Sequence, residues 1–123
     1  MDRAFTNILT DDVEATARFY QDLLGMMRTG DFGWFVILSH PNLPGMELGI
    51  LDQDHETVPL DVNVTAGGTI LTFVVADVEA VFAKAKGMGA TIIDGPSDLP
   101  YGQRRLLLRD RAGTVVDASA PIR

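Results

Sequence analysis

Apolar residues recur along this chain at two different spacings, and the alternation between them sets out its elements. Over "DDVEATARFYQDLLG", residues 11–25, Val13, Thr16, Ala17, Tyr20, Leu23 and Leu24 fall at steps of three and four, the signature of one helix face. Sixty-five positions later the chain reads "ADVEAVFAKAKGMGA", with Asp-Val-Glu-Ala repeated letter for letter. Val78, Val81, Phe82, Ala85 and Met88 keep the same relative steps. Asp12 and Asp77 open the two runs, where a carboxylate accepts free backbone N–H groups and complements the helix dipole. Gly25 closes the first run, and Gly87 or Gly89 closes the second with the left-handed residue that commonly stops a helix.

Around each predicted helix the period shortens to two. "AFTNIL" and "TILTFVV" precede the helices; "GWFVILS" and "MELGILD" follow the first, and "TIID", "RRLLLRD" and "TVVDAS" follow the second. Met26 to Gly30 is a further strand, the counterpart of "TIID". Each half therefore reads strand, helix, three strands. The polar stretch "DQDHETVPLDVNVTAGG", with its proline and glycines, reads as a connection. The chain is expected to be one domain over 1–123, with module one at about 3–52, a linker at about 53–67 and module two at about 68–121.

One such module covers a single face of its sheet with its helix and leaves the other bare. The expected fold class is α+β: two tandem βαβββ modules forming an eight-stranded curved mixed sheet around a concave cup, with the helices outside. Alternation then assigns faces. Phe73 and Val75 pack under the second helix, leaving Ile70, Thr72 and Val74 on the inner face. Phe5, Asn7 and Leu9 face inward from the first strand, as do Glu47, Gly49 and Leu51 from "MELGIL". Val115, Asp117 and Ser119 do so from the last strand, and Gln103, Arg105 and Leu107 from its neighbour, with Arg104 on the opposite face.

Composition narrows the partners. The net charge of −7, with no basic cluster larger than Arg104–Arg105, repels a phosphate backbone, so nucleic acid is not an expected partner. No apolar run is long enough to span a bilayer, and "MDRAFTN" lacks the apolar core of a signal peptide, so no membrane partner is expected either. A reducing cytoplasm is the expected location. With no cysteine, disulfides, thiolate metal sites and cysteine nucleophiles are excluded. "GMGA" follows a helix and "AGG" lies in the connection, so neither reads as a phosphate loop.

The duplicated module, "FY..LLG" in its first helix, "PYGQR", and the ending "LLLRDRAGTVVDAS" together resemble the vicinal oxygen chelate superfamily. That group includes glyoxalase I, bleomycin-resistance proteins, extradiol dioxygenases and fosfomycin-resistance enzymes. The resemblance implies a twofold homodimer and, in metal-dependent members, four inward positions that bind a divalent ion. Two are histidines seven residues before each helix-opening aspartate, where this chain has Phe5 and Ile70. Two are carboxylates or amides in the last strand of each module, for which Glu47 and Asp117 stand in the pattern. Half the metal site is thus missing. His40 and His55 do not match the ligand positions and read as solvated surface histidines. No metal ligand and no cofactor are expected.

The candidate ligand-binding residues are Phe5, Asn7, Trp34, Glu47, Thr72, Tyr101, Arg105 and Asp117, with Phe35 as a further flat apolar wall. Glu47 and Asp117 are also the catalytic candidates. Two carboxylates facing one apolar cup raise at least one pKa by repulsion and desolvation. Arg105, if inward, neutralises Asp117 or clasps an anionic ligand group bidentately. The expected function is metal-independent small-molecule binding of the bleomycin-resistance type, with a cationic aromatic ligand favoured while both carboxylates stay unneutralised and an anionic or zwitterionic one if Arg105 points inward. The alternative is an enzyme, a lyase, isomerase or epimerase using Glu47 and Asp117 as acid and base or as part of a divalent-metal site.

Overall fold

The structure, a computed structural model, describes residues 1–63 and 67–122. Its elements run β1 (Thr6–Thr10), α1 (Val13–Leu24), β2 (Met27–Asp31), β3 (Phe35–Ser39), β4 (Glu47–Asp52), β5 (Ile70–Val74), α2 (Val78–Gly87), β6 (Thr91–Leu99), β7 (Gln103–Arg109) and β8 (Val115–Pro121). This is an α+β arrangement of two βαβββ modules, and every strand anticipated from the alternation is present. The strands form two mixed four-stranded sheets, ordered β1-β4-β3-β2 and β5-β8-β7-β6. The chain divides into two compact units, Met1–Ala66 and Gly67–Arg123. Of the predicted linker, residues 64–66 lie outside the described residues. Up to residue 63 it is a series of turns, closed by bonds such as His55 N–H to the Asp52 carbonyl at 3.1 Å and Val62 N–H to the Pro59 carbonyl at 3.0 Å.

The helix ends follow the local chemistry of the repeat. Asp12 caps α1 by accepting from Ala15 N–H at 3.0 Å, and Asp77 caps α2 by accepting from Glu79 and Ala80 N–H at 3.0 and 3.2 Å. At the other end of α2 it is Gly89 that turns left-handed, at φ 68°. Ala90 N–H then reaches the Ala85 carbonyl at 2.9 Å and Gly89 N–H the Lys86 carbonyl at 3.1 Å. That pair of bonds satisfies carbonyls the helix leaves open, and glycine is favoured there because it has no Cβ to strain. Gly25 closes α1 with φ 71°.

In each unit the helix covers one face of its own sheet. Thr16, Ala17, Phe19, Tyr20 and Leu23 of α1 are buried, together with Ile8, Val36, Leu38, Leu48 and Ile50 of the first sheet. Val78, Val81 and Ala85 of α2 are buried with Leu106, Leu108, Val116 and Ala118 of the second. Phe19, beyond the face read from the spacing, is buried too and meets Tyr20 edge-on at 5.1 Å. Polar bonds finish the packing. Thr10 and Thr16 share a buried hydroxyl bond of 2.8 Å, joining β1 to α1. The buried Asp110 side chain accepts from Ala112 and Thr114 N–H at 2.8 and 2.9 Å, closing the β7–β8 hairpin "DRAG". Among the described residues, no helix is long and apolar enough to cross a membrane.

Candidate functional site

With one face of each sheet under its helix, the residues of opposite parity form an open face, and the register shows which of them are neighbours. In the first unit β1 runs parallel to β4 with Asn7 opposite Gly49, and β3 places Ile37 against Gly49 and Phe35 against Leu51. In the second unit β5 runs parallel to β8 with Thr72 opposite Asp117, while β7 places Leu107 against Asp117 and Arg105 against Ser119. Asn7 and Thr72 hold the same place in the repeat, five residues before Asp12 and Asp77. The residue matching Asp117 is therefore Gly49, and the residue matching Arg105 is Phe35.

Glu47 and Asp117, the two carboxylates expected at the last-strand places, thus do not stand at the same step of the two ladders. By count along its own ladder Glu47 corresponds to Val115, two residues out of step with Asp117. A shift of two keeps a side chain on the same face, so alternation cannot detect it. Gly49 is also the residue that the site requires. A Cβ there would strike the Asn7 side-chain oxygen and come within 2.8 Å of the Phe35 ring, so these two side chains occupy the space above it.

Glu47 is not an unpaired carboxylate. Arg3 Nε donates to its Oε1 at 2.8 Å, and Arg3 Nη2 pairs with its Oε2. The hydrogen bond and charge of Arg3 hold the Glu47 carboxyl below the usual glutamate range, the reverse of the rise expected from repulsion. Arg3 also lies over the Phe5 ring, 5.0 Å from its centroid. Arg3 is the partner of Glu47 that sequence reasoning missed. It lies ahead of β1, outside the strand whose alternation was read, so the pattern gave no signal for it.

Aromatic rings continue along the first unit. Phe32, Phe35 and Trp34 follow one another at centroid spacings of 6.3 and 5.8 Å, and Trp34 stacks on His55 at 3.7 Å, nearly parallel. His55 is thus a half-buried stacking partner, not the solvated residue expected, and its Nδ1 bonds the Thr57 hydroxyl at 2.8 Å. His40 is anchored as well. Its Nε2 donates to the Leu24 carbonyl at the end of α1 at 3.1 Å, and its Nδ1 accepts from Asn42 N–H at 3.1 Å. Because a carbonyl only accepts, that geometry requires the neutral ring with its proton on Nε2. Tyr101 stands 68% exposed in the β6–β7 turn, off the strand ladder.

In the second unit Arg105 does lie on the open face, between the buried Leu106 of its own strand and Ser119 of β8. Arg104 points the other way and joins Glu79 of α2 at 2.6 Å and Asp98 of β6 at 2.9 Å. Asp117 Oδ2 accepts from the Thr72 hydroxyl at 3.2 Å. Asp117 Oδ1 and Arg105 Nε are both buried without a hydrogen-bond partner.

A family model described as the glyoxalase/bleomycin resistance protein/dioxygenase superfamily matches residues 3–117. The chain belongs to this superfamily. No curated protein matches it. Among solved structures, a glyoxalase/bleomycin resistance protein/dioxygenase family enzyme from Burkholderia phytofirmans PsJN superposes with TM-score 0.84 at 23% identity, covering 99% of this chain and 100% of that one. Protein ATC0852 from Agrobacterium tumefaciens superposes with TM-score 0.77 at 25% identity, covering 100% and 99%. An integron cassette protein of V. cholerae does so with TM-score 0.73 at 20% identity, covering 98% and 94%. These likenesses concern the fold.

The divalent-metal site of the superfamily does not fit the residues present. Phe5 and Ile70, at the histidine places, carry no ligating side chain; of the two carboxylates, Glu47 is paired with Arg3 and Asp117 accepts from Thr72. Asn7 fills the space above Gly49 with an amide, a weak ligand by itself. Among the described residues, no group of three or more His, Asp or Glu side chains is placed to hold an ion.

Proposed function

We propose that this superfamily member is a metal-independent small-molecule binding protein that sequesters its ligand in the cytoplasm, working without a cofactor. One observation carries the reading. Phe5 and Ile70 offer no ligating group, Glu47 is held by Arg3, and Asp117 shares an open face with Thr72, Arg105 and Ser119 and with the apolar Ile70, Val74, Leu107 and Val115. A concave or flat apolar surface with a few polar groups suits an organic ligand better than a hard or borderline ion, which demands several convergent donors. The Arg3 grip on Glu47 keeps that carboxylate ionised and occupied, which argues against its use as a general acid.

Thermal unfolding with zinc, nickel or manganese tests the reading. A site filled at a hundred times its Kd would add about 2.7 kcal/mol and raise the melting temperature by several degrees. The expected result is no such rise. A rise that disappears in Asp117→Asn would overturn the proposal. Assembly as a homodimer belongs to the same reading. It is supported by the edge strand β5, whose Ile70 and Val74 side chains are exposed. Light scattering at micromolar concentration should give twice the 13.3 kDa chain mass, and a single-chain mass would count against the dimer.

A further inference from the structure

The chain has two histidines, and both stand in the loops that border β4. His40 opens the β3–β4 loop, which runs into Glu47, and His55 lies three residues past Asp52, where β4 ends. Each ring bends its loop in the same way. Nδ1 accepts from the backbone N–H two residues on, Asn42 N–H at 3.1 Å and Thr57 N–H at 3.2 Å. A backbone N–H only donates, so both bonds need an unprotonated Nδ1 and put the ring proton on Nε2. For His40 that proton meets the Leu24 carbonyl at 3.1 Å and ties the loop to the end of α1. His55 holds its turn in place by stacking on Trp34 at 3.7 Å. Leu43 N–H to the His40 carbonyl at 3.1 Å and Val58 N–H to the His55 carbonyl at 2.9 Å complete the two turns.

We propose that the two histidines form an acid-sensitive clasp on the two ends of β4. A proton on Nδ1 turns it from acceptor to donor and sets it against an N–H that cannot reverse. The Asn42 and Thr57 amides are then released, whereas the Thr57 hydroxyl, 2.8 Å from the same nitrogen, turns and accepts. The His40 bond to Leu24 survives, because Nε2 stays a donor and the added charge lies at the negative end of α1. The response is a loosening of two turns, with the helix contact kept. Near His40, the last turn of α1 carries Asp22 and no base, and loop 40–46 carries no charge. Arg28 of β2 is engaged by Gln21, Glu14 and Asp31. Around His55 stand Asp52, Asp54 and Glu56 of its own turn. The first two accept from Asp54 N–H at 2.9 Å and from the Asn63 amide at 3.3 Å. Among the described residues neither ring joins an ion pair. Since β4 carries Glu47, Gly49 and Leu51 of the open face, acid frees the borders of that face while its ladder stays paired.

NMR on the intact protein, titrated from about pH 8 to about pH 5, tests the clasp. At the alkaline end both rings should show the tautomer protonated on Nε2. On acidification the amide protons of Asn42 and Thr57 should move upfield, each following the titration of its own ring. The amides of Val36 and Ile50, in the β3–β4 ladder, should stay still, which separates the release from acid unfolding. Emission from Trp34, the single tryptophan of the chain, should fall as His55 gains charge, because an imidazolium stacked on indole quenches it. His40→Asn and His55→Asn each supply an oxygen that accepts from the N–H two residues on, as in an Asx turn, without titrating. Each variant should hold its own turn's amide in place across the titration and leave the other turn's response intact. His55→Asn should also remove the pH dependence of Trp34 emission. A neutral ring protonated on Nδ1, or an amide that stays still while its ring titrates, overturns the proposal. Amide movement that persists in the asparagine variants belongs to the neighbouring carboxylates and overturns it too.

Discussion

The two units share one frame and fill it with opposite chemistry. Where the second unit has Thr72, Asp117 and Arg105, the first has Asn7, Gly49 and Phe35 at the same places in the register. In the first unit the removal of a side chain at position 49 is matched by the Asn7 amide and Phe35 ring that lie above it. Its charged residues are satisfied within the chain, through the Arg3–Glu47 pair with Arg3 over Phe5. In the second unit Arg105 and Asp117 are half-buried, and each has one buried atom without a hydrogen-bond partner. The duplicated fold thus specifies places and not chemistry.

The largest expected effect tests the shared frame. Leu38 and Leu108 occupy matching core positions, opposite Leu48 and Val116, and both are fully buried. Leu38→Ala and Leu108→Ala should each cost about 2–5 kcal/mol by the lost burial and the cavity left behind. Urea unfolding measures both, and losses differing by more than the spread of that range would show that the two halves do not pack alike.

The smallest effect tests the internal satisfaction of the first unit. Arg3 lowers the Glu47 pKa, so the native state holds its proton less tightly than the unfolded chain does. The stabilisation from this pair is then complete above the ordinary glutamate pKa and lost as pH falls through the lowered native value. Arg3→Ala should move the Glu47 midpoint upward in an NMR titration and flatten the acid limb of stability in that range. Arg3 is solvent-exposed while Glu47 is half-buried, and salt should weaken the effect. A Glu47 midpoint unmoved by Arg3→Ala would remove the distinction drawn between the two open faces.

The helix caps, the eight strands and the placing of Arg105 and Asp117 on the sheet face away from the helix were all legible in the linear pattern. Each depends on residues within a few positions of one another: aspartate before an apolar face, glycine after it, and alternation along a strand. The repeat of Asp-Val-Glu-Ala also marked Phe5 and Ile70 as matching places without any structure. Pairing between strands was not legible. A slip of two residues preserves every inside–outside assignment, so Glu47 satisfied the pattern as well as Gly49 did. Only the β1–β4 and β5–β8 ladders separated them.

The same limit applied to the partners of charges. Arg3 lies forty-four residues from Glu47 in the chain, and His55 lies twenty-one from the Trp34 ring it stacks on. Periodicity carries no information across such distances, because contact there depends on how strands and loops converge. By itself the sequence determined which residues form each element and which face of a sheet they occupy, since those follow from local propensity and burial. Tertiary structure alone decided that Glu47 is held by Arg3 while Asp117 and Arg105 keep an unbonded atom each. Hydrogen-bond satisfaction is a property of neighbours in space, and the register chooses those neighbours.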